Sequence, residues 1–367
     1  MTGGPQDPTL LTTAPSGIAP ADALWRAMGT TRLLDCGMDH ADVQSLARLT
    51  DEGAAWDNAA ELLGTAQLER GRAAEAAGHR VTAAEAYRAS AACFLFAQMA
   101  YNFDVPRKGE LYRRFDDAVD AVSHVHDGNF ERVELPFEDG TLYGWLVTPV
   151  GPVLGTVVLF GGQSGWGAAY LRHAQELNLR GVAVFLVEGP GQGATRLEGG
   201  VYLDVDLRAA YSAFVDHVLV QPHLGGKVGL WGNSLGGLYA ATTTASDPRV
   251  SAVCVNGAPA RPRLLPFRTF QEQAFAMLGS DDHDAVQANL DRIAFGPEDR
   301  ISCPLLVLHG GEDPIVSLEE QQPFLDAAAD GTLRVWDDGE HTIYNHSAER
   351  TAYVADWFAD QFTGQRG

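Results

Sequence analysis

The chain has 367 residues, enough for one large domain with a smaller companion. A formal net charge of −22 at pH 7 excludes a nucleic acid or an anionic membrane surface as partner, because phosphate-rich surfaces would repel it. Cys36, Cys93, Cys254 and Cys303 lack the paired spacing of a disulfide framework or zinc site, so free thiols are expected and no metal.

Residues 1–20 are rich in Gly, Pro and Thr and carry neither a basic segment nor an apolar core of a leader, which reads as a disordered tail on a cytoplasmic protein. Residues 21–127 are expected to form a helical domain, because long Ala-, Leu- and Glu-rich stretches run through it without alternation. Thr82-Ala83-Ala84-Glu85 has the form of a capping box opening one helix, and Gly78-His79 separates that helix from a preceding one containing Trp56, Leu62 and Leu68. A helical hairpin follows from this spacing.

The texture changes at Gly128, and residues 128–367 read as a second domain of short apolar runs alternating with helices. Residues 130–137 and 141–147 alternate as an antiparallel pair around an Asp139-Gly140 turn. Strands are expected next at 156–160, 182–187, 227–231, 250–255, 304–308 and 332–336. Helix-length segments separate most of them, the pattern of a mostly parallel sheet covered on both faces. Residues 258–300 form a helical insertion placed where it could fold over the site described next.

The segment Gly232-Asn233-Ser234-Leu235-Gly236 lies between a short apolar strand and a helix-forming stretch. Its glycines permit a tight strand-to-helix reversal that lifts the Ser234 hydroxyl above the sheet, the form of a nucleophile elbow. A serine hydroxyl needs a histidine to take its proton and an acid to hold that histidine, in the chain order Ser, acid, His. Asp313 follows the 304–308 strand and His341 follows the 332–336 strand, both in loops at C-terminal strand ends. Glu312 and His346 are the rival acid and base, and His309 reads as structural. The backbone N–H of Leu235 and that of Gln163, in the loop Gly161-Gly162-Gln163-Ser164-Gly165-Trp166, are the expected oxyanion donors. Ser164 lacks an elbow of its own, and Trp166 reads either as a wall of the substrate pocket or as a packed anchor of this loop. The loop Glu188-Gly189-Pro190-Gly191-Gln192-Gly193 lacks the Gly-Lys-Ser/Thr of a phosphate loop and is expected to shape the floor beside the elbow.

With these motifs the chain resembles the α/β-hydrolases of the group that contains FrsA-like esterases, 2,6-dihydroxypseudooxynicotine hydrolases and polyketide-shortening hydrolases of the fungal yellowish-green pigment type. The resemblance rests on the N-terminal helical region, the Gly161-Gly162 loop, the Glu188 to Gly193 loop, the elbow and the Asp247-Pro248-Arg249 turn. It implies an α/β-hydrolase fold whose helical domain acts as a lid, a triad at Ser234, Asp313 and His341, and an oxyanion loop at residues 161–163. The group's carbon–carbon hydrolases carry an extra acid after the elbow. Residues 256–266 hold none here, and Glu272 is the nearest candidate.

The expected activity is therefore cleavage of an ester or activated carbon–carbon acyl bond in a small, polyketide-like molecule, with no cofactor. Acyl transfer or elimination of a carboxylate such as acetate would use the same residues, and a binding protein that has kept the fold is the reading from another class. The expected partner is a small-molecule substrate, with neither nucleic acid nor membrane involved, and a homodimer is compatible with the chain.

Overall fold

The computed structural model describes residues 18–364, so the expected tail lies, up to residue 17, outside them. Among the described residues six helices precede the first strand: α1 (Ala21–Met28), α2 (Thr30–Asp35), α3 (His40–Asp51), α4 (Trp56–Ala76), α5 (Arg80–Gln98) and α6 (Pro106–Val125). The α4–α5 hairpin forms because small residues on one helix face aromatic rings on the other. Gly71 packs on the Tyr87 ring, and a Cβ at Gly64 would come within 3.0 Å of Phe94. Helix α5 is apolar on nearly every side and lies buried, as a helix without a polar face must. The expected capping box does not form: α5 begins at Arg80, and Thr82 lies inside it. Gly78, at φ +79°, ends α4 by donating to Glu75 O while the His79 N–H reaches Ala74 O, so the chain re-enters helix at once.

The strands are β1 (Phe130–Phe137), β2 (Gly140–Val147), β3 (Gly155–Phe160), β4 (Val182–Glu188), β5 (Val228–Asn233), β6 (Val250–Asn256), β7 (Leu305–Gly310) and β8 (Gly331–Trp336). They form one sheet in the order β1-β2-β4-β3-β5-β6-β7-β8, in which only β2 pairs antiparallel with its neighbours. The β1–β2 turn differs by one residue from expectation. Gly140 pairs with Phe137, and the left-handed position falls on Glu138 at φ 49°. Helices α7 (Leu171–Asn178), α8 (Gly193–Leu197), α9 (Leu207–Leu219), α10 (Leu235–Ser246), α11 (Arg268–Leu278), α12 (His283–Arg292), α13 (Gln322–Ala327) and α14 (Ser347–Thr363) follow or connect the strands.

Strands β3 to β6 are apolar along nearly their whole length because both faces of the sheet are covered. One face packs in a core shared with α4 to α6 and α14, including Trp231, Leu306 and Phe358. The other packs against α9 and α10, including Phe160, Tyr211 and Tyr239. The strand order reverses at β3, whose neighbours β4 and β5 lie on opposite sides of it. Open sheets of this kind leave a crevice at such a reversal, outside the C-terminal strand ends. Pairing of Phe160 with Gly232 puts the loop after β3 beside the elbow after β5.

Cys93, Cys254 and Cys303 are buried, Cys36 is half-buried, and all four are free thiols. Among the described residues no helix is long and apolar enough to cross a membrane.

Candidate active site

Ser234 sits between β5 and α10 with φ 55° and ψ −133°, a conformation that a non-glycine residue adopts only under constraint. The constraint is visible. The Ser234 N–H donates to Asn256 O at 2.8 Å, and Gly232 passes so close to the Gly236 carbonyl that a Cβ would collide with it. On the facing loop, a Cβ at Gly162 would come within 2.6 Å of the Leu235 nitrogen. The glycine pattern of the sequence thus reflects close backbone approach at two crossings.

The three residues expected to cooperate come together. His341 Nε2 lies 2.9 Å from Ser234 Oγ, and His341 Nδ1 lies 2.8 Å from Asp313 Oδ2. The side chain of Asp313 is fully buried, and its other oxygen accepts the N–H groups of Ile315 and Val316. Burial pushes the Asp313 carboxyl up. The bond from His341 and the two backbone donors outweigh that effect and hold it below its ordinary value. Such a carboxylate stays charged beside the imidazole and fixes its tautomer and orientation.

The rivals fall elsewhere. Glu312 is exposed. His346 faces Asp338 at 2.8 Å. His309 is buried in β7 against the amide of Gln321. Ser164 Oγ accepts a hydrogen bond from Arg32 of α2 at 2.9 Å, which ties it to the helical region and not to a base.

Leu235 begins α10, where its N–H has no acceptor within the helix, and the Gln163 N–H likewise makes no hydrogen bond among the described residues. Both residues border the same cleft as Ser234. That cleft is walled mainly by apolar side chains of residues 259–290, including Leu265, Phe270, Met277 and Leu290, with Ile315 and Val316 opposite.

Two expected contributors to the pocket do not border this cleft. Trp166 does not border this cleft. It lies buried behind the loop, donates from Nε1 to Gln163 O at 3.3 Å, and is flanked by Lys108 and Arg196 at 5.1 and 5.2 Å from its ring. A ring flanked by two buried basic side chains in a packed core anchors the loop. The α1–α6 region contributes none of the bordering residues either. It meets the loops from behind: Tyr112 Oη donates to Glu188, Thr31 Oγ1 to Glu340, and Asn102 Nδ2 to Glu272. Glu272 is accordingly turned toward Asn102 and Arg268 and does not border the cleft.

No sequence pattern marks the turn that carries His341. Thr342 and Ile343 both have positive φ, 54° and 62°, although β-branched residues resist that region. Arg350, buried in α14, holds the turn by donating to Thr342 O at 2.8 Å while its other nitrogen reaches Asp35 of α2. Only the strained backbone identifies Arg350 as a support of the histidine.

A family model described as serine aminopeptidase, S33, matches residues 151–280, which include the elbow but neither Asp313 nor His341. Hydrolase LUC6 of Fusarium sp is 36% identical over 149 residues, 37% of this chain, and the match spans about a third (35%) of LUC6's own length. The 2,6-dihydropseudooxynicotine hydrolase of Paenarthrobacter nicotinovorans is 26% identical over 301 residues, covering 78% of each chain. A solved structure of a 2,6-dihydroxy-pseudo-oxynicotine hydrolase superposes with a TM-score of 0.83 at 23% identity, covering 92% of this chain and 96% of that one, a likeness of fold. With its eight-stranded, mostly parallel sheet and its likeness to that solved structure, the protein has the α/β-hydrolase fold, and its sequence is similar to hydrolases that include 2,6-dihydropseudooxynicotine hydrolase and LUC6.

Proposed function

We propose that the protein is a serine esterase acting on a small, largely apolar acyl compound, with Ser234 as nucleophile, His341 as general base and Asp313 as the group that orients the imidazole. The observation that carries this reading is the unbroken pair of hydrogen bonds from Asp313 through His341 to Ser234 Oγ, opening on an apolar cleft. His341 Nε2 takes the hydroxyl proton as Oγ attacks the acyl carbon. The oxyanion accepts hydrogen bonds from the N–H groups of Leu235 and Gln163, and the imidazolium returns the proton to the leaving alcohol. Water then repeats the sequence on the acyl-enzyme.

An ester is preferred to a carbon–carbon bond because the carboxylate on the cleft wall, Glu320, is engaged by Arg263 and the Ser317 N–H, while Glu272 faces away. Among the described residues no second acid is therefore positioned to protonate a carbanion.

The test is labelling by a fluorophosphonate together with turnover of short-chain p-nitrophenyl esters. Stoichiometric modification of Ser234 with isotope from labelled water in the released acid supports the reading. An unlabelled Ser234, or a product acyl group carried to another acceptor, overturns it.

A further inference from the structure

Resting on the proposed roles of Ser234 and the two oxyanion donors, we infer that Gln192 is a positioning residue that sets the direction of the Gln163 N–H. Gln192 is fully buried in the loop after β4 and does not border the cleft. Every polar atom of its side chain is committed. Nε2 donates to Gly161 O at 2.8 Å and to Gly162 O at 2.7 Å, and Oε1 accepts the Gly189 N–H at 2.9 Å. One amide therefore grips two consecutive carbonyls of the loop that faces the elbow.

The consequence follows from peptide geometry. In a trans peptide the C=O and the following N–H point in opposite directions. Fixing Gly162 O toward Gln192 therefore aims the Gln163 N–H away from Gln192. Two further polar groups of Gln163 are occupied: its carbonyl accepts from Trp166 Nε1, and its side-chain Nε2 donates to Phe270 O at 2.6 Å. The backbone N–H is left without a partner among the described residues, on a residue that borders the cleft with Ser234 and Leu235.

Glycine at 161 and 162 makes this grip necessary. Neither residue has a Cβ to restrict its own dihedrals, and rotation of the 162–163 peptide would turn a carbonyl oxygen toward the space that the oxyanion needs. Donation from Gln192 to the Gly162 carbonyl also polarises that peptide, which strengthens its N–H as a donor.

The test is Gln192→Met, which keeps volume and removes both donors, alongside Gln192→Glu, which replaces the donating amide by an acceptor. Each variant is titrated with a fluorophosphonate to count competent sites, and rates are expressed per labelled site. Loss of a positioned oxyanion donor lowers kcat by about 10²-fold, with KM for a p-nitrophenyl ester within about threefold of wild type. The labelling rate constant should fall by the same factor as kcat. A residue that only stabilises the fold would instead reduce the labelled fraction and leave the per-site rate unchanged. A per-site kcat within threefold of wild type in Gln192→Met overturns the inference. Failure of the wild-type enzyme to label overturns the esterase reading instead.

Discussion

Two helical regions, residues 21–125 and residues 258–300, both read from sequence as cover for the site, yet they stand in different relations to it. The later one walls the cleft with Phe270, Met277 and Leu290. The earlier one, which holds far more buried aromatic surface, borders none of it and instead fastens the loops that do: Tyr112 to the Glu188 loop, Arg32 to Ser164, Asp35 to Arg350. Apolar content therefore does not report closeness to substrate. What decides is whether a helix meets the sheet at the crevice or behind the loops around it.

The largest effects fall where the two regions converge. Ser234→Ala should lower turnover by at least about 10³-fold with an unchanged melting temperature, and Asp313→Asn should be far more damaging than Glu312→Gln. Equal losses at Asp313 and Glu312 in steady-state kinetics would show that the site has been assembled wrongly. Deletion of residues 1–125 should yield insoluble or inactive protein, because it strips the cover from Trp166, Glu188 and Arg350. A soluble truncation with full activity would show that the helical region is dispensable and break the contrast.

Trp56→Ala and Phe270→Ala sharpen the comparison directly. Trp56 is buried and donates to Phe96 O, so its truncation should cost about 3–5 kcal/mol in chemical denaturation while leaving KM of the folded fraction unchanged. Phe270 is half-buried on the cleft wall. Its truncation should change kcat/KM between long and short acyl esters by about 10-fold, with little loss of stability. Reversal of these two signatures would exchange the roles assigned to the regions.

The smallest effect concerns the contact between α6 and the Glu188 loop. Burial pushes the Glu188 carboxyl up to about 7, against the opposing hydrogen bonds from Tyr112 and the Ala194 N–H. A carboxyl raised in the folded chain binds its proton more tightly there than when unfolded. Its stabilising contribution is thus full below the unfolded value and is lost as pH rises through about 7. The melting temperature of wild type relative to Glu188→Gln should therefore decline between pH 4.5 and 7. A difference that grows with pH in that window would contradict the assignment.

Much of this was legible before any coordinates. The order of strands along the chain, the elbow at Ser234, and the loops of Asp313 and His341 follow from runs of apolar residues that end in Gly- and Asp-rich turns, because a strand buried on both faces has little freedom of composition. Helix α5 starts before the Thr82 position that the sequence suggests, because a glycine turn lets a helix resume without any capping side chain. The β1–β2 turn slipped by one residue because Glu138 accepts a left-handed conformation that Asp139-Gly140 would more readily have supplied.

By itself, then, the sequence determined which residues could do the chemistry and on which loops they stand, since local pattern dictates strand, turn and helix. The tertiary structure alone decided which helices touch the cleft, that Trp166 is an anchor, that the His341 turn is strained and clamped by Arg350, and that Gln192 grips the loop at Gly161 and Gly162. Each of those facts depends on groups far apart in the chain meeting in a buried space, where an unpaired carbonyl or amide is costly and the partner that satisfies it is chosen by packing, which no local pattern records.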